Sequence, residues 1–487
     1  MNVPRLPLVE FGGVKCREVF ELLHRNGFTA AAICRRLGLP RLSAIDAEKV
    51  RVRDSGELGS AADVLIRLFL EGWPVAGEAV DRWLGARELL ERLQLIEPYG
   101  TDSYAATVTL YPVQDLYIAS DRFNNADGSK FVGWDDMVYQ CLLPTTERLI
   151  TGVPRTGFES VVDMCAGAGV GGLLCAKTAK RVLAVDLMER CVHFVRFNAE
   201  LNGFTNVEAR QGSLYEPVGD EQFDLITAHP PYQPVWRHLQ TFNSGGMDGE
   251  HIAKGVLQGG PAHLKPGGRM YCLCQLSDRA EPAEVRVRSW LTPEEQAEVD
   301  IAVVSFRHRN LIEFTAVSAL CEDWRGEDWR AWMAQMQPLR IRDLVYGMYV
   351  LQRATGGRKV FTVRREGPAA EAEAISGLVD WETNAAQACF SDCVGGLRLR
   401  LRPSCEMSVR MEAKSGAWKS GTGTMRNTVP FESALQVDER TMALLAKMDG
   451  SKPLGELLQS VSMRAPVEKV AALVHLLVSK GFAEVVR

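Results

Sequence analysis

The chain has 487 residues, 46% hydrophobic, 24% charged and 8% aromatic, which is ample material for packed cores and excludes a disordered polymer. Single cores stop growing at roughly 250–300 residues, so about two to four domains are expected. The 56 basic and 61 acidic residues leave a formal net charge of −5, which excludes nucleic-acid binding through overall positive charge but not through a local basic face. No stretch approaches the ~20 consecutive apolar residues of a membrane helix. The opening residues lack the basic flank and apolar centre of a secretory signal, so a cytoplasmic location is expected. Of twelve cysteines only Cys272/Cys274 and Cys389/Cys393 lie close together, neither pair at CxxC spacing, and buried reduced thiols are expected. The eight histidines form no HExxH or HxH cluster, so no metal is expected.

In chain order, residues 15–45 carry a helical pattern in which Val19, Leu22 and Leu23 share one face, Asn26-Gly27 breaks it, and Ala30, Ile33 and Leu37 resume it. Further helices are expected over 61–70, 75–84 and 86–93, then a turn at 96–100 and a strand over 104–110. Helices followed by a short hairpin make a winged-helix pattern, and a helical cap on the next domain is the alternative. Basic residues, among them Arg35, Arg36, Arg41, Lys49, Arg51 and Arg53, outnumber acids here; a solvated face explains them as readily as nucleic acid does.

From about 158 to 320 the character changes. Short apolar runs at 160–162, 181–185, 223–226 and 269–273 alternate with helical stretches at 191–201 and 251–264. Such alternation requires a mostly parallel sheet with helices on both faces, whose ligands sit at the carboxyl ends of the strands. Beyond it, 323–332 reads as a helix with core aromatics (Trp324, Trp332), and 397–402 reads as a strand with one arginine face, taken as a solvated or salt-bridged edge. From Thr441 the pattern is helical again, through 454–461 and 467–477 to a short terminal strand.

The first apolar strand runs into Asp163-Met164-Cys165-Ala166-Gly167-Ala168-Gly169. A carboxylate at a strand end, followed by glycines that admit a ligand to the backbone, makes a nucleotide-cofactor loop. Asp186 closes the next strand and can accept both hydroxyls of a ribose. The loop alone does not choose the cofactor. The choice comes from His229-Pro230-Pro231-Tyr232, where two prolines fix the carbonyl directions and the tyrosine ring offers a flat face to a planar acceptor. Such a site can hold a nitrogen lone pair toward a methyl donor, in a displacement that depends mainly on alignment.

With these motifs, residues 158–275 resemble a class I S-adenosylmethionine-dependent methyltransferase of the HemK-type "small domain" group, which carries Asn-Pro-Pro-Tyr. Further matches are Asn198-Ala199-Glu200-Leu201-Asn202-Gly203, Gln211-Gly212-Ser213-Leu214, Ser244-Gly245-Gly246-Met247-Asp248-Gly249 and Leu264-Lys265-Pro266-Gly267-Gly268. Leu116-Tyr117-Ile118-Ala119-Ser120-Asp121 and the helical front resemble methyltransferases with a winged-helix-like front domain. Residues 437–482 resemble a PqqD-like module.

The resemblance implies S-adenosyl-L-methionine as cofactor, with Asp163, Cys165, Gly167 and Gly169 at its methionine end, Asp186 on the ribose, Leu187 and Leu214 around the adenine, and Ser213 where the group usually has Asp. His229 stands where the group has Asn. Neutral imidazole has one acceptor nitrogen, and its ordinary pKa near neutrality suits a general base, which favours an acceptor other than a housekeeping glutamine or nucleobase.

The expected architecture is α/β: a Rossmann-like doubly wound core over 116–325 between a helical, winged-helix-like domain over 1–115, a mixed α/β segment over 326–430 and a winged-helix-like module over 431–487. Residues 139–147 are expected to fold over the cofactor as a lid. The expected activity is methyl transfer to nitrogen, or oxygen, of a small-molecule or peptide acceptor, with His229, Pro230, Pro231 and Tyr232 catalytic and a homodimer allowed. The alternatives are an RNA or protein-glutamine methyltransferase and an inactive cofactor-binding regulator.

Overall fold

The computed structural model describes residues 5–9, 14–45, 57–234, 241–321, 325–414 and 417–486. The chain divides into two compact units, Met1–Cys274 and Gln275–Arg487.

The apolar runs of the middle region form strands β1 (Ser160–Met164), β2 (Arg181–Asp186), β3 (Val207–Gln211), β4 (Phe223–Ala228) and β5 (Leu264–Asp278). They pair in parallel. Val161, Val162, Val182, Leu183, Leu225 and Ile226 are wholly buried, as strands covered on both faces require. Helix α1 (Val170–Ala176) follows β1, α2 (Glu189–Leu201) follows β2, and α3 (His251–Gly259) lies between β4 and β5. The first five lie in the hydrogen-bonded order β3-β2-β1-β4-β5, and three later strands, β6 (Val299–Arg309), β7 (Asp343–Arg353) and β8 (Thr362–Glu366), lie in the order β7-β6-β8. β6 is antiparallel to β7 and parallel to β8. This is the expected doubly wound α/β sheet, and its order reverses between β1 and β4, where such sheets bind ligands.

Ahead of the sheet, helices Val14–Arg25, Ala30–Leu37, Ala61–Ile66, Gly77–Leu84 and Arg87–Arg92 accompany a three-stranded antiparallel sheet in which Ser103–Ala106 lies between Val75–Ala76 and Ile96–Tyr99. Thr29 and Ser60 cap their helices through side-chain oxygens. Helix 61–66 continues as a π-turn, Arg67–Glu71. Val19, Leu22, Leu23, Ile33 and Leu37 share one core with Phe194, Phe197 and Leu201 of α2.

The strand expected over 104–110 is divided at Thr107. Its second part becomes Val108–Val113, which forms a separate buried hairpin with Leu116–Asp121. The basic face is smaller than the sequence suggests. Arg36 is buried against Asp63 (2.7 Å) and Glu71 (3.1 Å), and Lys49, Arg51 and Arg53 lie outside the described residues.

In the second unit, Arg398–Leu401 is the central strand between Asp449–Pro453 and Ala483–Val486, not an edge. Its Arg400 meets Glu484 across the strands. A long hairpin, Glu406–Lys414 with Ala417–Asn427, adds Ser433–Val437 as a third strand and was not anticipated. Helices Glu439–Leu445, Leu454–Ser460 and Val467–Ser479 follow the expected pattern. In helix Gly326–Met336, Trp332 is buried whereas Trp329 is exposed, and Asp323 and Trp324 lie outside the described residues. The expectation of buried thiols holds for Cys272 and Cys274 but not for Cys389 and Cys393, which are exposed on a short helix. Among the described residues no helix is long and apolar enough to cross a membrane, and no group of three or more metal-ligating side chains occurs.

Candidate active site

The carboxyl end of β1 delivers Asp163 into a turn where Cys165 and Gly167 (both φ 56°) and Gly169 (φ 85°) adopt left-handed conformations. The buried Asp163 carboxylate accepts the Gly172 N–H at 2.8 Å. A Cβ on Gly171 would stand 2.7 Å from that carboxylate, so glycine is required there for the helix to approach the strand end. Burial pushes the Asp163 carboxyl up to about 7, against the lowering effect of the Gly172 N–H. Asp186, at the end of β2, accepts N–H groups from Gly167 (2.8 Å) and Met188 (3.0 Å), and burial raises its pKa as well. This carboxylate therefore fixes both the glycine loop and the turn into α2.

His229-Pro230-Pro231-Tyr232 follows the end of β4, at the reversal of strand order. The His229 and Tyr232 rings lie 5.9 Å apart, tilted by 31°. The glycines of the 244–249 motif back this segment: a Cβ on Gly245 would lie 2.8 Å from the Tyr232 Cα, and one on Gly249 would lie 2.7 Å from the Tyr232 carbonyl oxygen. The His229 ring is half-buried in the wall, and desolvation lowers its pKa to about 4. The lowered pKa argues against a base poised near neutrality and for a neutral ring that accepts or donates a hydrogen bond.

One cleft of about 920 Å³ is lined by Asp163, Cys165, Gly167, Asp186, Leu187, Ser213, Leu214 and the whole His229–Tyr232 segment. This falls in the range typical of small-molecule sites. Gly169 does not line it; its Cβ position faces Val195 at 3.0 Å, behind the loop. Leu187 is exposed and Leu214 takes a positive φ of 48°.

Met137, Val138, Tyr139, Gln140 and Cys141 and residues of helix Pro144–Gly152 form a further part of the cleft wall, so the segment expected as a lid does border the cleft. Tyr139 stacks on Phe242 (4.8 Å, 23°), and the Thr241 N–H reaches the Asp135 carbonyl at 3.2 Å. Phe242, His251, Lys254 and Gln258 also line the cleft. Phe242 lies in a loop without periodicity, and His251, Lys254 and Gln258 share one polar face of α3 that no motif marks, so the sequence alone does not single them out.

Residues 142–286 match the family described as methyltransferase small domain. The strand order, the two strand-end carboxylates and the glycine loop thus coincide with a Rossmann-like methyltransferase domain. The chain is 31% identical over 130 residues to the ribosomal protein uL3 glutamine methyltransferase of Bradyrhizobium diazoefficiens, covering 24% of this chain and 41% of that one. It is 35% identical over 135 residues to the release factor glutamine methyltransferase of Xylella fastidiosa, covering 25% and 49%. A longer similarity, 25% over 249 residues, covers 47% of this chain and 79% of the uL3 glutamine methyltransferase of Bordetella pertussis. The chain thus spans less than half the length of the first two relatives.

Proposed function

We propose that this protein is an S-adenosylmethionine-dependent methyltransferase whose acceptor is a neutral nitrogen bearing N–H, of the amide type, presented on a peptide. The observation that carries this reading is the convergence, in one cleft, of two buried strand-end carboxylates with His229-Pro230-Pro231-Tyr232.

The residues present fit the cofactor. Asp186 is held by backbone N–H groups, so its remaining lone pairs suit two ribose hydroxyls. Gly167 leaves the space beside it open. Leu187 and Leu214 border the place for the adenine, Ser213 can accept from its amine, and Asp163 suits the cationic methionine end.

When bound, the cofactor supplies a methyl group on a sulfonium, whose S–C electron pair returns to sulfur as the acceptor lone pair forms the N–C bond. The chain aligns the acceptor nitrogen. A neutral His229 accepts one N–H, and the carbonyls beside Pro230 and Pro231 accept another. With a pKa near 4, His229 is too weak a base to strip an alkylammonium or a phenol, so the acceptor enters neutral and loses its proton to solvent after transfer. The named activities of the uL3 and release factor relatives support a peptide-borne amide acceptor. Small-molecule nitrogen remains the second reading, favoured by the replacement of the group's Asn by His229.

Calorimetric titration with S-adenosylhomocysteine tests the cofactor half: micromolar or tighter binding is expected, and none would refute the reading. Transfer of radiolabelled methyl from the cofactor to cell extract, followed by protease and by ribonuclease, tests the acceptor half. Label lost to protease is expected; label lost to ribonuclease would overturn it.

A further inference from the structure

Along helix α2 and at its C-cap, Asn202, residues Arg190, Phe194, Asn198 and Asn202 recur every fourth position and so share one face. Against that face lies strand Leu116–Asp121 of the hairpin. The Asn202 amide accepts the Tyr117 N–H (2.9 Å) and donates to the Tyr117 carbonyl (2.7 Å). The Asn198 amide does the same at Ala119 (2.7 and 2.9 Å). Arg190 donates its Nε to the Asp121 carboxylate at 2.7 Å and adds a second guanidinium contact. Four helical residues rise about 6.0 Å and two strand residues about 6.6 Å, so side chains on one stripe can meet alternate strand residues in step. The helix thereby satisfies the open edge of a two-stranded hairpin, as a neighbouring strand would.

Two of these three contacts reach further. Asn198 also donates to the Ala168 carbonyl (2.9 Å), inside the glycine loop. The Asp121 carboxylate also accepts the Val138 N–H (2.8 Å), and the Asp121 N–H bonds the Val138 carbonyl (3.1 Å), at the start of the wall formed by 137–143. Arg190 itself follows the Asp186 turn and lies over Trp134 at 5.4 Å. Asp121, Arg190 and Asn198 are buried.

We infer that Asp121, with Arg190, and Asn198 are positioning residues for cofactor binding: one strand edge sets the glycine loop through Asn198 and the cleft wall at 137–143 through Asp121. This rests on the proposed cofactor site. Asn202, which bonds Tyr117 and its own helix, holds the hairpin without reaching either part of the cleft, and so supplies the control.

The test compares S-adenosylhomocysteine affinity, thermal midpoint and hydrogen exchange in the full chain for Asp121→Asn, Asn198→Ser and Asn202→Ala. Asp121→Asn and Asn198→Ser are expected to weaken binding at least tenfold while circular dichroism shows them folded, and exchange over 137–143 is expected to quicken in Asp121→Asn. Asn202→Ala is expected to lower the midpoint while leaving affinity within twofold. Unchanged affinity in folded Asp121→Asn and Asn198→Ser, or an equal loss in Asn202→Ala, overturns the inference. If Asp121→Asn does not fold, Arg190→Lys, which keeps the charge but loses the planar fork, decides by the same criterion. Failure of the wild-type chain to bind would instead refute the cofactor site, and the exchange pattern at 137–143 would still judge the anchoring.

Discussion

The strand-end carboxylates of the first unit and the ion-paired carboxylates of the second are held in opposite ways. In the first, Asp163 and Asp186 sit at strand ends and are met by backbone N–H groups and, for Asp186, the Cys191 thiol, with no cation among their partners. In the second, Asp300 is enclosed by Arg358, the Gln352 amide and the Phe361 N–H. Asp278 takes a bidentate contact from Arg364 at 2.8–2.9 Å, and Glu382 meets Arg365 and His475. Asp300, Asp278 and Glu382, already neutralised by guanidinium and not among the cleft residues, serve the fold. A carboxylate held only by neutral donors keeps lone pairs that a ligand can use. Burial and charge alone do not separate the two kinds, but the identity of the partners does.

The contrast predicts a split between stability and binding. Asp300→Ala leaves the buried Arg358 guanidinium without its counter-charge and is expected to cost about 3–5 kcal/mol of stability in denaturant unfolding, with S-adenosylhomocysteine affinity unchanged. Asp186→Ala should do the reverse. Two hydrogen bonds to a charged acceptor are lost, each about 1.5 kcal/mol or more, so affinity falls on the order of a hundredfold by calorimetry, while the free protein, which loses the Gly167 and Met188 contacts, is destabilised less than by Asp300→Ala. If Asp186→Ala unfolded the chain and Asp300→Ala abolished binding, the distinction drawn from the partners would be wrong.

A smaller effect concerns pH. The folded pKa of Asp163, about 7, lies above its ordinary value near 3.8. This group therefore favours folding of the free protein below about pH 4, and that contribution is lost as pH rises through 7. Binding has the opposite sign, since the ionised carboxylate suits the cationic end of the ligand. Affinity for S-adenosylhomocysteine is expected to rise about tenfold from pH 6 to pH 8, with proton release on binding visible as a dependence of the heat on buffer ionisation. Asp163→Asn should flatten the curve; a wild-type curve already flat would show that Asp163 is not the group that titrates.

The same logic explains which parts of the molecule sequence reading reached. β1, β2 and β4 are buried on both faces, so their apolar runs stand out, and the residues that follow them mark the site. β3, Val207–Gln211, is an outer strand with Glu208 and Gln211 exposed, and its pattern was lost. β7 carries an apolar run over 344–351 but lies in an antiparallel region with no strand–helix alternation to frame it. The Arg190–Asp121 pair joins residues 69 apart in sequence, a spacing that encodes nothing locally. His229 borders the cleft, but its pKa is set by the surroundings rather than by its own chemistry.

That last point gives the smallest expected effect. If His229 acted as a base, replacement by Asn would remove the proton acceptor and lower turnover a hundredfold or more, and the wild-type rate would fall below pH 6.5 as the ring charged. A neutral ring with a pKa near 4 does neither. It offers one acceptor nitrogen, and the Asn carbonyl offers the same service in a similar place. His229→Asn is therefore expected to keep turnover on the true acceptor within about threefold, with no limb from this residue between pH 6 and 8, whereas His229→Leu, which removes the acceptor atom, should lose about a hundredfold. A large loss in His229→Asn accompanied by a wild-type limb near pH 6.5 would restore the base and would admit acceptors, such as hydroxyls and ammonium groups, that a merely orienting histidine excludes.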